Sequence, residues 1–221
     1  MGQLLDDLVV VEVSEEPAGA FCGKAFADLG AEVVKVEPPS GDRLRTRPGA
    51  FMHLNTNKRS VVLEAGGDLL PLLRRAHVVI ESLGWGDLAS RGVDVADLRA
   101  EVPALVVATI SGVGADGPYA GYRWTDLVGQ AAGWSVLPQA YAEHTTPVKL
   151  PGIIALCLTG QTAALGALAA ALRAGASGCG ARVDCAMSEA MGAVASRATR
   201  YLGWHYNQRQ PTIVVSAGAS N

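Results

Sequence analysis

Apolar positions along the chain fall in short β-branched runs that alternate with stretches at helical spacing. Leu8 to Val13 is one such run. The pattern breaks at Pro17-Ala18-Gly19, and apolar residues resume at helical spacing with Phe21, Ala25, Phe26 and Leu29. Gly30 closes that helix, and a second β run follows from Glu32 to Val36. A strand, a turn, a helix and a strand of this length make a βαβ crossover. Further strands are predicted at Ser60–Glu64, His77–Glu81, Leu105–Ile110 and Ala181–Met187. Helices are predicted at Leu69–Arg75, in two short pieces between Ser82 and Glu101, at Asp126–Trp134, at Thr159–Arg173 with Thr159 as N-cap, and at Ser188–Trp204 with Ser188 as cap. The stretches Pro38–Phe51, Ser111–Arg123 and Val136–Gly152 read as connections.

This order predicts an α/β fold, a Rossmann-like doubly wound and mostly parallel sheet. Residues 1–206 are expected to form the domain, and 207–221, with one β-like run TIVV, a C-terminal tail. In such sheets ligands bind beyond the carboxyl ends of the strands, which here are the Ser14–Gly19 turn and the Glu37–Arg45 loop.

Composition narrows the class. With 49% hydrophobic residues and only 5% aromatic, the core should be aliphatic and closely packed. A net charge of −3 gives no reason to expect nucleic acid or an anionic membrane as partner, so any phosphate-binding surface must be local. Cys22, Cys157, Cys179 and Cys185 lack metal-site spacing, and no metal site is expected. They read as reduced thiols of a cytoplasmic protein, and MGQLLDDLVV does not have the form of a signal peptide. The uncharged run Ile153–Leu172 is about long enough to span a bilayer, but Thr159, Gly160, Gln161 and Thr162 in its middle point to a helix packed on the sheet.

Gly112 to Gly117 fits GxGxxG, yet Pro118-Tyr119 leads into loop where a dinucleotide fingerprint must open a helix. Lys58 and Arg59, with Arg43, Arg45 and Arg47, could line a basic rim for phosphates or equally form a solvated loop.

Several words occur together here: ADLGAEVVKVEPPSGDRLR after a Pro-Ala-Gly turn, LNTNKRSVVLE, SGxGxxGPYA and DxVxQAxG. In that order they resemble the large domain of the family III CoA-transferases, a group that includes formyl-CoA and carnitine CoA-transferases and the α-methylacyl-CoA racemases. The resemblance covers roughly residues 8 to 200. It implies coenzyme A or an acyl-CoA as ligand rather than a permanently bound cofactor, and it makes the basic rim of Arg45, Lys58 and Arg59 a CoA contact. Further contacts implied by position are Pro17 and Ala18 in the turn, Ser82 and Leu83 after the VVIE strand, and Arg91. ESLGWG stands where the family usually carries an Asn and an aromatic residue, which weakens the expected hold on adenine and ribose.

The resemblance also locates a gap in the chemistry. The family's catalytic aspartate precedes a Ser/Thr-Gly pair, attacks the thioester and forms a mixed anhydride, and IIALCLTG puts Leu156 at that position. That alignment places Leu156 at the mouth of the cleft, just ahead of the Thr159 helix. Cys157 next to it lies in an apolar run that keeps it a thiol. The racemase branch uses a His where Thr125 precedes Asp126. The family continues into a second domain near where this sequence stops, so the expectation is a truncated homologue acting as a subunit of a homo- or hetero-oligomer with a longer CoA-transferase homologue. Its alternatives are a non-enzymatic acyl-CoA-binding or scaffold protein and an acyl-CoA enzyme with repurposed chemistry.

Overall fold

A computed structural model describes residues 3–64, 67–84, 87–133, 136, 148–194 and 205–207. The β-like run TIVV, residues 137–147 of the predicted connection and the part of the predicted Ser188–Trp204 helix beyond Val194 lie outside the described residues. Six strands form one sheet: β1 Val9–Val13, β2 Glu32–Glu37, β3 Arg59–Val62, β4 Val78–Ser82, β5 Val106–Ser111 and β6 Arg182–Ala186. Their order is β3-β2-β1-β4-β5-β6, and every neighbouring pair is parallel. The chain runs outward from β1 on one side and from β4 on the other, so the topological switch point lies between β1 and β4.

Helices α1 Pro17–Asp28, α2 Pro48–Leu54, α3 Leu70–Leu73, α4 Val95–Glu101, α5 Asp126–Ala132, α6 Ile154–Ser177 and α7 Met187–Val194 connect and cover the strands. Because successive strand residues point to opposite faces, the sheet feeds two cores. Val10, Val33, Val78, Ile80, Val106, Ala108 and Ile110 meet α1 and α6 on one face. Val11, Val13, Val36, Val79 and Val107 meet Leu73, Leu88 and Leu98 on the other. α1 and α6 lie so close that a Cβ on Gly160 would come within 2.3 Å of the Ala18 carbonyl oxygen, which is why the Thr-Gly pair tolerates no larger second residue.

Three expectations change: Ser188 lies inside α7, which begins at Met187, rather than capping it, and two further helices differ. α2 occupies a stretch read as loop, because Pro48-Gly49 resembles a turn while Pro at the first helical position is compatible with a helix start. α6 begins five residues before Thr159, and Thr159 is buried in its second turn, donating its hydroxyl to the Ala155 carbonyl instead of capping the helix.

Candidate functional site

At the switch point the end of β1 turns into α1 through Ser14, Glu15 and Glu16. Glu16 is the α1 N-cap: its carboxylate accepts from Ala18 N and Gly19 N, each at 2.7 Å. Ser82 Oγ at the end of β4 donates to the same carboxylate at 2.9 Å, leaving Ser14 Oγ as the donor in the 3.0 Å contact between the two serines. The helix N-terminus that would face a pyrophosphate in a dinucleotide fold is thus filled by the protein's own acid. Burial pushes the Glu16 carboxyl above its usual range, against the pull of those donors.

Behind this point lies a buried charge network. Glu12 on β1 and Lys35 on β2 are register partners and meet at 2.7 Å. Lys35 also reaches Asp42 at 2.6 Å and the Ser14 carbonyl, so despite burial, which alone would lower it, its pKa is raised. Lys58 arrives from the loop before β3 and donates to Glu12, the Ala20 carbonyl and Asn55. Gly23 makes room for the group, since a Cβ there would meet Glu12 Oε2 at 2.1 Å. Burial opposes the Glu12 charge, but the two lysines outweigh it and hold the carboxyl below its usual range. At the end of β2, Glu37 takes a two-pronged contact from Arg45, at 2.6 and 2.8 Å, and a hydrogen bond from Ser60. The Arg45 bond, with Ser60 and the Asp42 N–H, lowers Glu37 to about 2.

Beyond the ends of β4 and β5 opens a cleft of about 480 Å³. Leu83 and Gly84 form one wall, Ser111 and Gly112 the floor, and Arg43, Tyr122 and Arg123 the rim. Buried Trp124 ties the two loops together, its Nε1 donating to the Leu83 carbonyl at 3.4 Å. The cleft offers cations, an exposed aromatic ring and backbone without side chains, a combination suited to a phosphorylated nucleotide.

Next to the sheet, Asp126 supplies the cap that Ile153 cannot. Its Oδ1 accepts Ala155 N in the first turn of α6 at 2.9 Å, and its Oδ2 accepts Gln130 Nε2 at 2.7 Å and Lys149 Nζ at 2.9 Å. Gln130 in turn binds both backbone groups of Leu150. The DxVxQ word is therefore a clamp on the entry to α6. Leu156 sits in that first turn, 8% exposed and part of the apolar core, not at an open mouth. Burial raises the Cys157 thiol, and the charges of Asp126 and Glu16 raise it further.

The sequence-predicted residues are only partly brought together. Pro17 and Ala18 open α1 at the switch point, Ser82 binds Glu16 there, and Leu83 lines the cleft. Arg91 approaches Glu15 at 3.9 Å on the same side. Lys58 is buried and consumed by Glu12, while Arg45 spends its fork on Glu37 and stacks on Phe51 at 4.1 Å, so both hold loops and neither presents a free cation. Arg59 turns away to Glu32 at the amino end of β2 and borders a larger hollow of about 700 Å³ with Asp6 and Asp28. That hollow lies opposite the strand ends and its acidic lining repels phosphate. Tyr122, Arg123 and Trp124 were missed; the signal was the aromatic-basic YRW immediately after the Gly-rich loop.

Comparison with known proteins bears on this geometry. The family model described as CoA-transferase family III matches residues 5–218. The chain is 34% identical to succinyl-CoA:mesaconate CoA-transferase of Haloarcula hispanica, with 87% of this chain and 54% of that protein covered. It is 31% identical to succinyl-CoA:(R)-benzylsuccinate CoA-transferase subunit BbsE of Thauera aromatica, with 86% and 50% covered. The crystal structure of a CAIB/BAIF family protein from Brucella suis superposes with a TM-score of 0.85 at 30% identity, covering 96% of this chain and 60% of that one. The chain spans about half the length of the curated relatives it matches.

Proposed function

Because the chain belongs to CoA-transferase family III, we propose that it binds a CoA thioester at the carboxyl ends of β4 and β5 and acts as a non-nucleophilic subunit of an oligomeric acyl-CoA-processing enzyme. The observation that carries this is Leu156, an apolar side chain in the first turn of α6 where the family resemblance calls for a carboxylate. The two carboxylates whose charges reach Cys157 do not replace it. Asp126 is held by three donors and Glu16 by three, which leaves neither with a free oxygen for attack on a thioester.

In the proposed complex Arg43 and Arg123 neutralise the ligand's phosphates and Tyr122 presents a face to its base, while Leu83 supplies an apolar wall. A partner, a longer homologue carrying the carboxylate, completes the reaction. The name of the Thauera relative, a subunit, makes such a division of labour a reasonable model. Calorimetry with CoA tests the binding half: heat that saturates at one ligand per chain and weakens in Arg123→Ala supports it. No binding at millimolar CoA overturns it and leaves a purely structural subunit. Co-expression with a full-length homologue tests the other half through co-purification and restored exchange.

A further inference from the structure

One continuous stretch, 119–126, carries the rim of the cleft and is tied down on both sides. Upstream, the Gly-rich loop is stapled before it reaches the rim: Ser111 Oγ accepts Gly114 N at 2.9 Å and Asp184 Oδ2 accepts Ala115 N at 3.1 Å. Two turns follow, closed by Ala120 N on the Gly117 carbonyl and by Tyr122 N on the Tyr119 carbonyl. The second turn sets the Tyr119 ring edge-on to the Tyr122 ring, with centroids 5.4 Å apart. Tyr122 and Arg123 present exposed side chains at the cleft, whereas Trp124 turns back into the apolar core and is 6% exposed. Gly112 lets the indole pass, since a Cβ there would fall 2.5 Å from Trp124 Cβ and 2.6 Å from its Cγ. From this buried seat Nε1 reaches the Leu83 carbonyl on the opposite wall. Downstream, Thr125 caps α5 and Asp126 holds the first turn of α6.

We propose that Trp124 and Tyr119 are positioning residues of this cleft. Trp124 fixes the separation between the Leu83 wall and the rim, and with it the reach of Arg123. Tyr119, which stands outside the cleft lining, fixes the plane of Tyr122. An exposed arginine and an exposed tyrosine each lose rotamer freedom when a ligand orders them, and backbone held on both sides of them lowers the part of that cost still to be met on binding. A lid hinged here would have to draw a buried indole out of the core at every opening, so the rim is a fixed jaw rather than a closing flap. The inference rests on the CoA reading given above and adds to it the two side chains that never touch the ligand's phosphates or base yet set the groups that do.

Calorimetry with CoA on the intact chain tests this through two double-mutant cycles, with circular dichroism to verify the fold of each variant. Trp124→Phe keeps a ring in the core and removes the bond to Leu83, and it should weaken CoA about tenfold. In an Arg123→Ala background the same change should cost about twofold or less, because the group it positions is gone. Tyr119→Ala should weaken CoA about fivefold alone and have no further effect in a Tyr122→Ala background. A side chain that only fills space would cost the same factor in both backgrounds, which is what the cycles separate. If Trp124→Phe fails to fold, the Tyr119 cycle decides alone, since that side chain is exposed. Full affinity in Trp124→Phe or Tyr119→Ala, or equal losses in the two backgrounds of a cycle, overturns this inference and leaves the CoA reading standing. No CoA binding by the wild-type chain overturns that reading and this inference with it.

Discussion

Leu156→Asp would put a carboxylate in the first turn of α6, and the structure sets its cost. Leu156 belongs to the apolar core and is 8% exposed, so loss of its packing alone should cost about 3 kcal/mol, the middle of the Leu-to-small range. The new acid adds about 2 kcal/mol for desolvation without a dedicated partner. Its place in the first turn returns about 1 kcal/mol through the helix dipole. The net cost is about 4 kcal/mol, or a fall in Tm of about 8 to 16 °C for a domain of this size. Leu156→Asn and Leu156→Ala separate the terms in parallel melts by differential scanning calorimetry. Because burial raises the folded-state pKa of the new acid, Leu156→Asp should approach Leu156→Asn at pH 5 and fall below it by pH 8, as stability is lost when pH rises through the folded pKa. A Leu156→Asp protein as stable as wild type, or a gap to Leu156→Asn that ignores pH, would refute the assignment of Leu156 to a sealed core.

Other perturbations test the supporting network and the cleft. Glu12→Gln leaves two buried lysines sharing a neutral amide and should cost about 3 to 5 kcal/mol in urea unfolding. Lys58→Met, which removes a charge together with its desolvation, should cost less. Glu37, held near 2 by Arg45, contributes stability that is present above the unfolded carboxylate pKa and lost as pH falls toward 2, and Glu37→Gln should flatten that part of the acid melting profile. Arg123→Ala should weaken CoA binding about tenfold or more in calorimetry and leave Tm within a few degrees, since the side chain is exposed.

The sheet was legible because its inner strands β1, β2, β4 and β5 are β-branched runs, largely buried on both faces, and each run is bounded by turn residues. Glu12 and Lys35 are exceptions inside such runs, and the register pairing that makes them neighbours is visible only in three dimensions. The basic rim failed for the same reason. Lys58 and Arg59 are adjacent in sequence yet point to different ends of the molecule, one into the Glu12 network and the other to Glu32. Thr159 looked like a cap because it precedes an Ala-rich run, whereas the cap of α6 comes from Asp126, 29 residues away.

In the proposed division of labour this chain contributes a CoA-thioester site without a nucleophile of its own. The most direct test is an exchange assay with succinyl-CoA and mesaconate, the pair in the name of one relative, in which mesaconyl-CoA is followed by chromatography. The purified chain alone should form none above the buffer control, and adding a co-purified homologue with the carboxylate should start the exchange. Sustained, enzyme-proportional formation of mesaconyl-CoA by the isolated chain would contradict the account.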